Sequence, residues 1–132
     1  MENIKIRAGA KWMPEDGPGG ESLWAIDAGY HNAIIGNTPF FTQGLALYDL
    51  VTYDDEGDIG TILQPSGIKT FRALVIDTEE EKFKQIADEV EKFAIAVEGG
   101  FGALLAVSVA PTMTDQLTRY FDNNGIAWEN GN

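Results

Sequence analysis

One histidine, no cysteine and a surplus of carboxylates bound the chemistry open to this chain of 132 residues. His31 is the single imidazole. Ser22, Ser66, Ser108 and several acids exist, yet no spacing sets a serine and an orienting carboxylate beside His31 as a nucleophilic triad requires. The absence of cysteine removes a thiolate nucleophile, a disulfide frame and Cys-ligated zinc. Asp54, Asp55, Glu56 and Asp58 crowd around Gly57, but without the spacing of a calcium loop or its distant bidentate glutamate, so they read as a solvated turn. Gly99-Gly100-Phe101-Gly102 joins one strand-like run to another, whereas a phosphate cradle leads from a strand into a helix. No carboxylate pair stands out for acid–base work. The residue types therefore predict binding rather than catalysis, with no catalytic residue, metal or cofactor expected.

Arg72 is the residue most strongly tied to a specific partner. It enters a run that turns apolar at once, through Ala73, Leu74, Val75 and Ile76, so its guanidinium should be partly buried and forked onto a carboxylate. Asp49, set within the apolar turn of Leu45, Leu47, Leu50 and Val51, is the first candidate. The Asp49–Arg72 pair would be a structural clamp between two halves, with a ligand contact by Arg72 as the alternative.

Charge points to the kind of partner. Nine Lys plus Arg against 21 Asp plus Glu give a net charge of −12, which repels nucleic acid and anionic membrane surfaces and favours a basic protein. From Trp12 to Ile68 there is no lysine or arginine, while Glu15, Asp16, Glu21, Asp27, Asp49 and the turn acids all fall in that span. The expected contact surface is Asp54, Asp55, Glu56 and Asp58, with Tyr30 and Tyr53 supplying anchoring area. The N-terminus lacks the apolar core of a signal peptide and no run reaches the length of a membrane span, so a cytoplasmic location is expected.

These residues need a frame, and two rhythms supply it. Ile4, Ile6 and Ala8 alternate with Lys5 and Arg7 as in a half-buried strand. Ser22–Ile26 and His31–Ile35 read as strands around the turn Asp27 to Tyr30, with glycine supplying the special backbone angle, and Leu50–Tyr53 and Ile59–Leu63 as another hairpin. Residues 1–66 are thus expected to form a small bent antiparallel β-sheet or barrel. After Pro65-Ser66-Gly67 comes a strand from Ile68. Thr78 to Glu81 is a capping box opening a helix whose stripe is Phe83, Ile86, Val90 and Phe93. Two strands follow, then a second helix capped by Thr112 and Asp115, and a last strand from Ile126. This order, strand, helix, strand, strand, helix, strand, predicts a ferredoxin-like βαββαβ unit over 67–132, packed with the first half as one α+β unit. Ile95, Val97, Leu105, Val107, Val109, Ile126 and Trp128 should face the helices. The opposite face, Ala94, Ala96, Leu104, Ala106, Ser108, Ala110 and Ala127, is small and smooth, suited to close approach by the N-terminal sheet.

The ordered residues Trp24, Asn37, Pro39-Phe40-Phe41, Gly44, Asp49, Val51, Pro65-Ser66-Gly67, Thr70 and Arg72 resemble a bacterial family known as domain of unknown function 4265, over Glu21 to the C-terminus. Ile68 stands where many relatives carry histidine, which argues against a histidine-dependent site in that motif. The resemblance implies kinship and fold and no activity. The expected function is that of a cytoplasmic acidic binding protein, most concretely an immunity protein that neutralises a basic antibacterial toxin. A small-molecule sensor using the crevice between the halves is the alternative, and an enzyme comes last.

Overall fold

Alternating apolar residues in the first half become a five-stranded antiparallel sheet. The computed structural model describes residues 2–76 and 79–132, and the strands are β1 (Asn3–Ala8), β2 (Glu21–Gly29), β3 (Asn32–Ile35), β4 (Leu50–Tyr53) and β5 (Ile59–Gln64), each paired with the next. Ile6, Ala8, Leu23, Ala25, Ala33, Ile35, Val51 and Ile59 point to one core, with Lys5 and Arg7 turned outward. The sheet curls until its edges touch. The Arg7 amide donates to Gly57 O at 2.8 Å, and Trp12 Nε1 donates to Ile59 O at 3.2 Å, so both edges are partly covered near this seam.

The second half changes period as the sequence does. It contains β6 (Lys69–Leu74), α1 (Glu80–Glu91), β7 (Ala96–Gly100), β8 (Leu104–Val109), α2 (Thr114–Asn123) and β9 (Ala127–Asn130), with the sheet ordered β7-β8-β6-β9 and antiparallel throughout. The whole is an α+β arrangement of two antiparallel sheets and two helices. Both helices lie on one face, where Phe71, Ala73, Val75, Leu105, Val107 and Val109 meet Val90, Leu117 and Phe121. Among the described residues no helix is long and apolar enough to cross a membrane.

Several local expectations are corrected. Ile95 is 45% exposed while Ala94 packs on the helical core, because β7 starts only at Ala96 and the two preceding residues still belong to the turn out of α1. Thr112 and Asp115 do not cap α2. A short 3-10 turn over Pro111–Met113 intervenes, and the Thr114 hydroxyl donates back to Pro111 O at 3.0 Å. The Thr78 part of the capping box lies outside the described residues. At the β2–β3 hairpin the left-handed backbone is taken not only by Gly29 but by Tyr30 and His31, at φ of 56° and 60°.

Asp49 and Arg72, expected to pair, have separate partners. The Asp49 carboxylate is 2% exposed and accepts the Ala46 amide at 2.9 Å and the Ser66 amide at 2.7 Å, while Ser66 Oγ donates to Leu47 O at 2.8 Å. Two loops of the first half are stitched together by one carboxylate that mimics a turn acceptor. Removing it strands the buried Ala46 amide, at a cost of order 1–3 kcal/mol, and frees the part-buried Ser66 amide. Asp49→Ala is expected to lose about 3 kcal/mol in denaturant unfolding and to melt about 10 °C lower, with Asp49→Asn in between because it keeps one acceptor. Unfolding free energies equal to that of the parent would contradict this role.

Candidate functional site

Pairing of β3 with β4 brings two hairpin tips side by side. Asn32 lies opposite Thr52, and the Tyr53 amide donates to His31 O at 2.9 Å. On this end Tyr30 is 100% exposed, and the His31 ring stacks on Tyr53 at 5.1 Å with 18° between planes. The Tyr53 hydroxyl donates to Asp27 Oδ1 at 3.0 Å. Burial first, and then this carboxylate, push the phenol above its ordinary range, so it keeps its proton at neutral pH.

The turn acids have unequal roles. Asp54 Oδ1 accepts the amides of Glu56 and Asp58 at 3.0 and 2.9 Å and so shapes the turn. Asp58 is half-buried and meets β1 through a backbone β-bridge to Arg7. Asp55 and Glu56 remain exposed, with an Asp55 oxygen 3.7 Å from His31 Nδ1. Tyr30, Tyr53 and the acids expected to bind a partner therefore do share one surface, with His31 added. Nearby cations are turned away or occupied: Lys5 lies over the Trp24 ring at 4.6 Å, and the Arg7 guanidinium donates to Gly19 O at 3.4 Å. Among the described residues no three carboxylate or imidazole groups converge to hold a metal ion.

The densest polar constellation lies between the sheets. Residues 36–44 cross the small face of the second sheet, and their backbone polar groups are met by side chains from both sides. Glu21 at the start of β2 accepts the amides of Phe40, Phe41 and Thr42 at 2.6, 2.9 and 2.9 Å, and the Thr42 hydroxyl at 2.7 Å. From the other sheet, Glu98 Oε2 accepts the Thr38 amide at 2.5 Å, and Thr38 Oγ1 lies 2.7 Å from Ser108 Oγ. Arg72, 3% exposed, donates through Nε to Pro39 O at 3.3 Å and through Nη2 to Thr42 O. A side chain at Gly131 would collide with the guanidinium, its Cβ falling 2.8 Å from Nη1. Arg72 thus joins the halves as anticipated, but through carbonyls. Among the described residues it makes no ion pair. Burial lowers its pKa, with Glu21 and Glu129 opposing that shift.

Asn37 accepts the Trp24 amide at 2.7 Å, so Trp24, Asn37, Pro39, Asp49, Ser66 and Arg72 are all spent on loop and junction contacts. That order of residues lies within a match to the model described as "Domain of unknown function (DUF4265)", over residues 21–126. The chain belongs to this DUF4265 family. No curated protein matches. The fold is similar to the "Novel crystal structure of a hypothetical protein from Neisseria gonorrhoeae", with a TM-score of 0.72 and 18% identity over 99% of this chain and 95% of that one. At that identity the likeness concerns fold alone.

For this DUF4265 chain, Glu21 and Glu98 are the junction residues that pairwise sequence reasoning passed over. The available signal was an acid, Glu98, ending the apolar run Ala94 to Val97. Burial chiefly raises the Glu98 pKa, with Glu21 adding to the rise and hydrogen bonds from Thr38 and Asn37 opposing it. A carboxyl raised on folding contributes stability that is fully present below its unfolded pKa and lost as pH rises through the folded one. Glu98→Gln keeps an acceptor for the Thr38 amide without the charge. The melting temperature of the variant relative to the parent is expected to climb from about pH 4 to about pH 8. A difference that stays constant across this range would show that Glu98 ionises as freely as in the unfolded chain.

Proposed function

We propose that this chain is a binding protein that captures a basic protein through its adjoining hairpin tips, most concretely a cytoplasmic immunity protein that neutralises an antibacterial toxin. The observation that carries the reading is the joining of the β2–β3 and β4–β5 tips. This places a fully exposed Tyr30, the stacked His31–Tyr53 pair and the exposed acids Asp55 and Glu56 on one end of the first sheet. Such a surface combines what tight recognition needs: rigid aromatic area that loses little entropy on burial, and charges that steer a basic partner into register. The net charge of −12 extends that steering field.

The frame is read as two subdomains, 1–66 and 67–132. The touching edges of β1 and β5 support a barrel-like first unit, and the element succession with sheet order β7-β8-β6-β9 supports a ferredoxin-like second one. Much of the space between them, which a small-molecule sensor would use, is taken up by Thr38, Phe40 and Thr42, and the cleft left beside Leu45, Ile62, Ile68 and Asn132 holds only about 150 Å³. This favours binding at the surface over sensing in a crevice, and the chain is not assigned an enzymatic reaction.

The test uses the product of the reading frame next to this protein's gene. Asp55→Asn with Glu56→Gln is expected to slow association about tenfold at low salt and to flatten its salt dependence, whereas Tyr30→Ala should mainly speed dissociation. Rates unchanged in all these variants would remove the hairpin tips from the interface.

A further inference from the structure

The second sheet ends in a short, exposed edge strand, β9. The first sheet brings its two edges into contact at Arg7 and Gly57, and α1 packs over the face of β7, where a Cβ at Gly99 would fall 2.8 Å from the Phe83 ring. Among the described residues β9 pairs only with β6, and all four of its residues are exposed. It carries no lysine, proline or bulge of the kind that blunts edge strands. The Gly131 amide donates to Thr70 O at 2.9 Å, so by antiparallel alternation Glu129 and Ala127 direct their backbone groups at β6, and Trp128 and Asn130 direct theirs outward. Beside this edge, on the face away from the helices, lies a cavity of about 300 Å³ lined by Leu74, Leu104, Ala127, Arg72 and Glu129. Leu74 is 47% exposed there because Ala127 is too small to cover it.

We infer that β9 is a docking edge for a strand of a partner protein, in which a lysine or arginine is followed two residues later by an apolar side chain. A strand added antiparallel would exchange hydrogen bonds with Trp128 and Asn130. Its cation would lie opposite Glu129, and the apolar residue opposite Ala127, over Leu74. A second copy of this chain is a poor occupant. The twofold register that uses both outward residues sets Glu129 directly against its own copy, with Cα atoms about 4.5 Å apart, between chains that each carry −12. Charge thus selects against self-pairing and for a basic strand. The inference does not depend on the hairpin tips, which lie on the other sheet.

The probe is a blocked hexapeptide in which lysine and valine alternate with threonine, titrated into the full chain and followed by amide chemical shifts. Shifts are expected at 127–130 and around Leu74. Glu129→Lys should weaken binding about tenfold and transfer the preference to the same peptide with glutamate for lysine. Asn130→Pro, which removes an outward amide the fold does not use, should abolish the shifts. Should that variant fail to melt like the parent, the charge swap decides alone. No shifts at about millimolar peptide, shifts centred on 53–58 instead, dimerisation of the parent through β9, or equal binding by the parent and Glu129→Lys would each overturn the inference.

Discussion

The fold depends on satisfying the backbone of one irregular segment. Residues 36–44 pass between two sheets, with Thr38, Pro39 and Thr42 buried there, and an unpaired buried group costs about as much as a hydrogen bond is worth. Glu21 from one sheet and Glu98 and Arg72 from the other supply the hydrogen-bond partners. One strap thereby fixes the relative placement of two layers that have separate apolar cores. Small residues in the second sheet make the approach possible. A Cβ at Gly100 would fall 3.0 Å from the Phe40 ring, while Ala106 and Ser108 are fully buried under the strap.

This arrangement explains which parts of the molecule were legible in its sequence. Strands and helices with long apolar periods were, because burial of one face leaves a mark at every second or third residue: β1 from Ile4, Ile6 and Ala8, and α1 from Phe83 to Phe93. The small face of Ala106 and Ser108 was legible as a place for close approach. The partner of Arg72 was not. A sequence names side-chain acids but is silent on which backbone carbonyls will be buried, so Asp49 drew attention that belonged to Pro39 O and Thr42 O. Asp49 is equally buried, for a different reason, as the acceptor joining Ala46 to Ser66. Local ends were also obscure, since the 3-10 turn before α2 and the left-handed Tyr30 and His31 break the residue preferences on which such reading relies.

The same accounting separates architecture from surface. Asn37, Asp49, Ser66 and Arg72, which carry the family resemblance, have polar atoms bonded within the fold, which leaves recognition to groups the fold does not need. The acids follow this division: Asp54 shapes its turn, while Asp55 and Glu56 are exposed on the adjoining tip, Asp55 near His31. A non-glycine backbone at positive φ in a fully exposed tyrosine is held by the surrounding hairpin pairing, so the ring is presented without a loop that must first be ordered.

The central claim is that the strap is an integral part of the core and that the two sheets open together. Native-state hydrogen exchange of the Phe40, Phe41 and Thr42 amides tests it most directly. Although these residues lie in no strand or helix, they should exchange with the free energy of global unfolding, as the amides of β8 do, and share its dependence on denaturant. Exchange at the rate of ordinary surface loops, with β8 still protected, would mean that the carboxylate of Glu21 does not hold the strap and that the sheets are joined by other means.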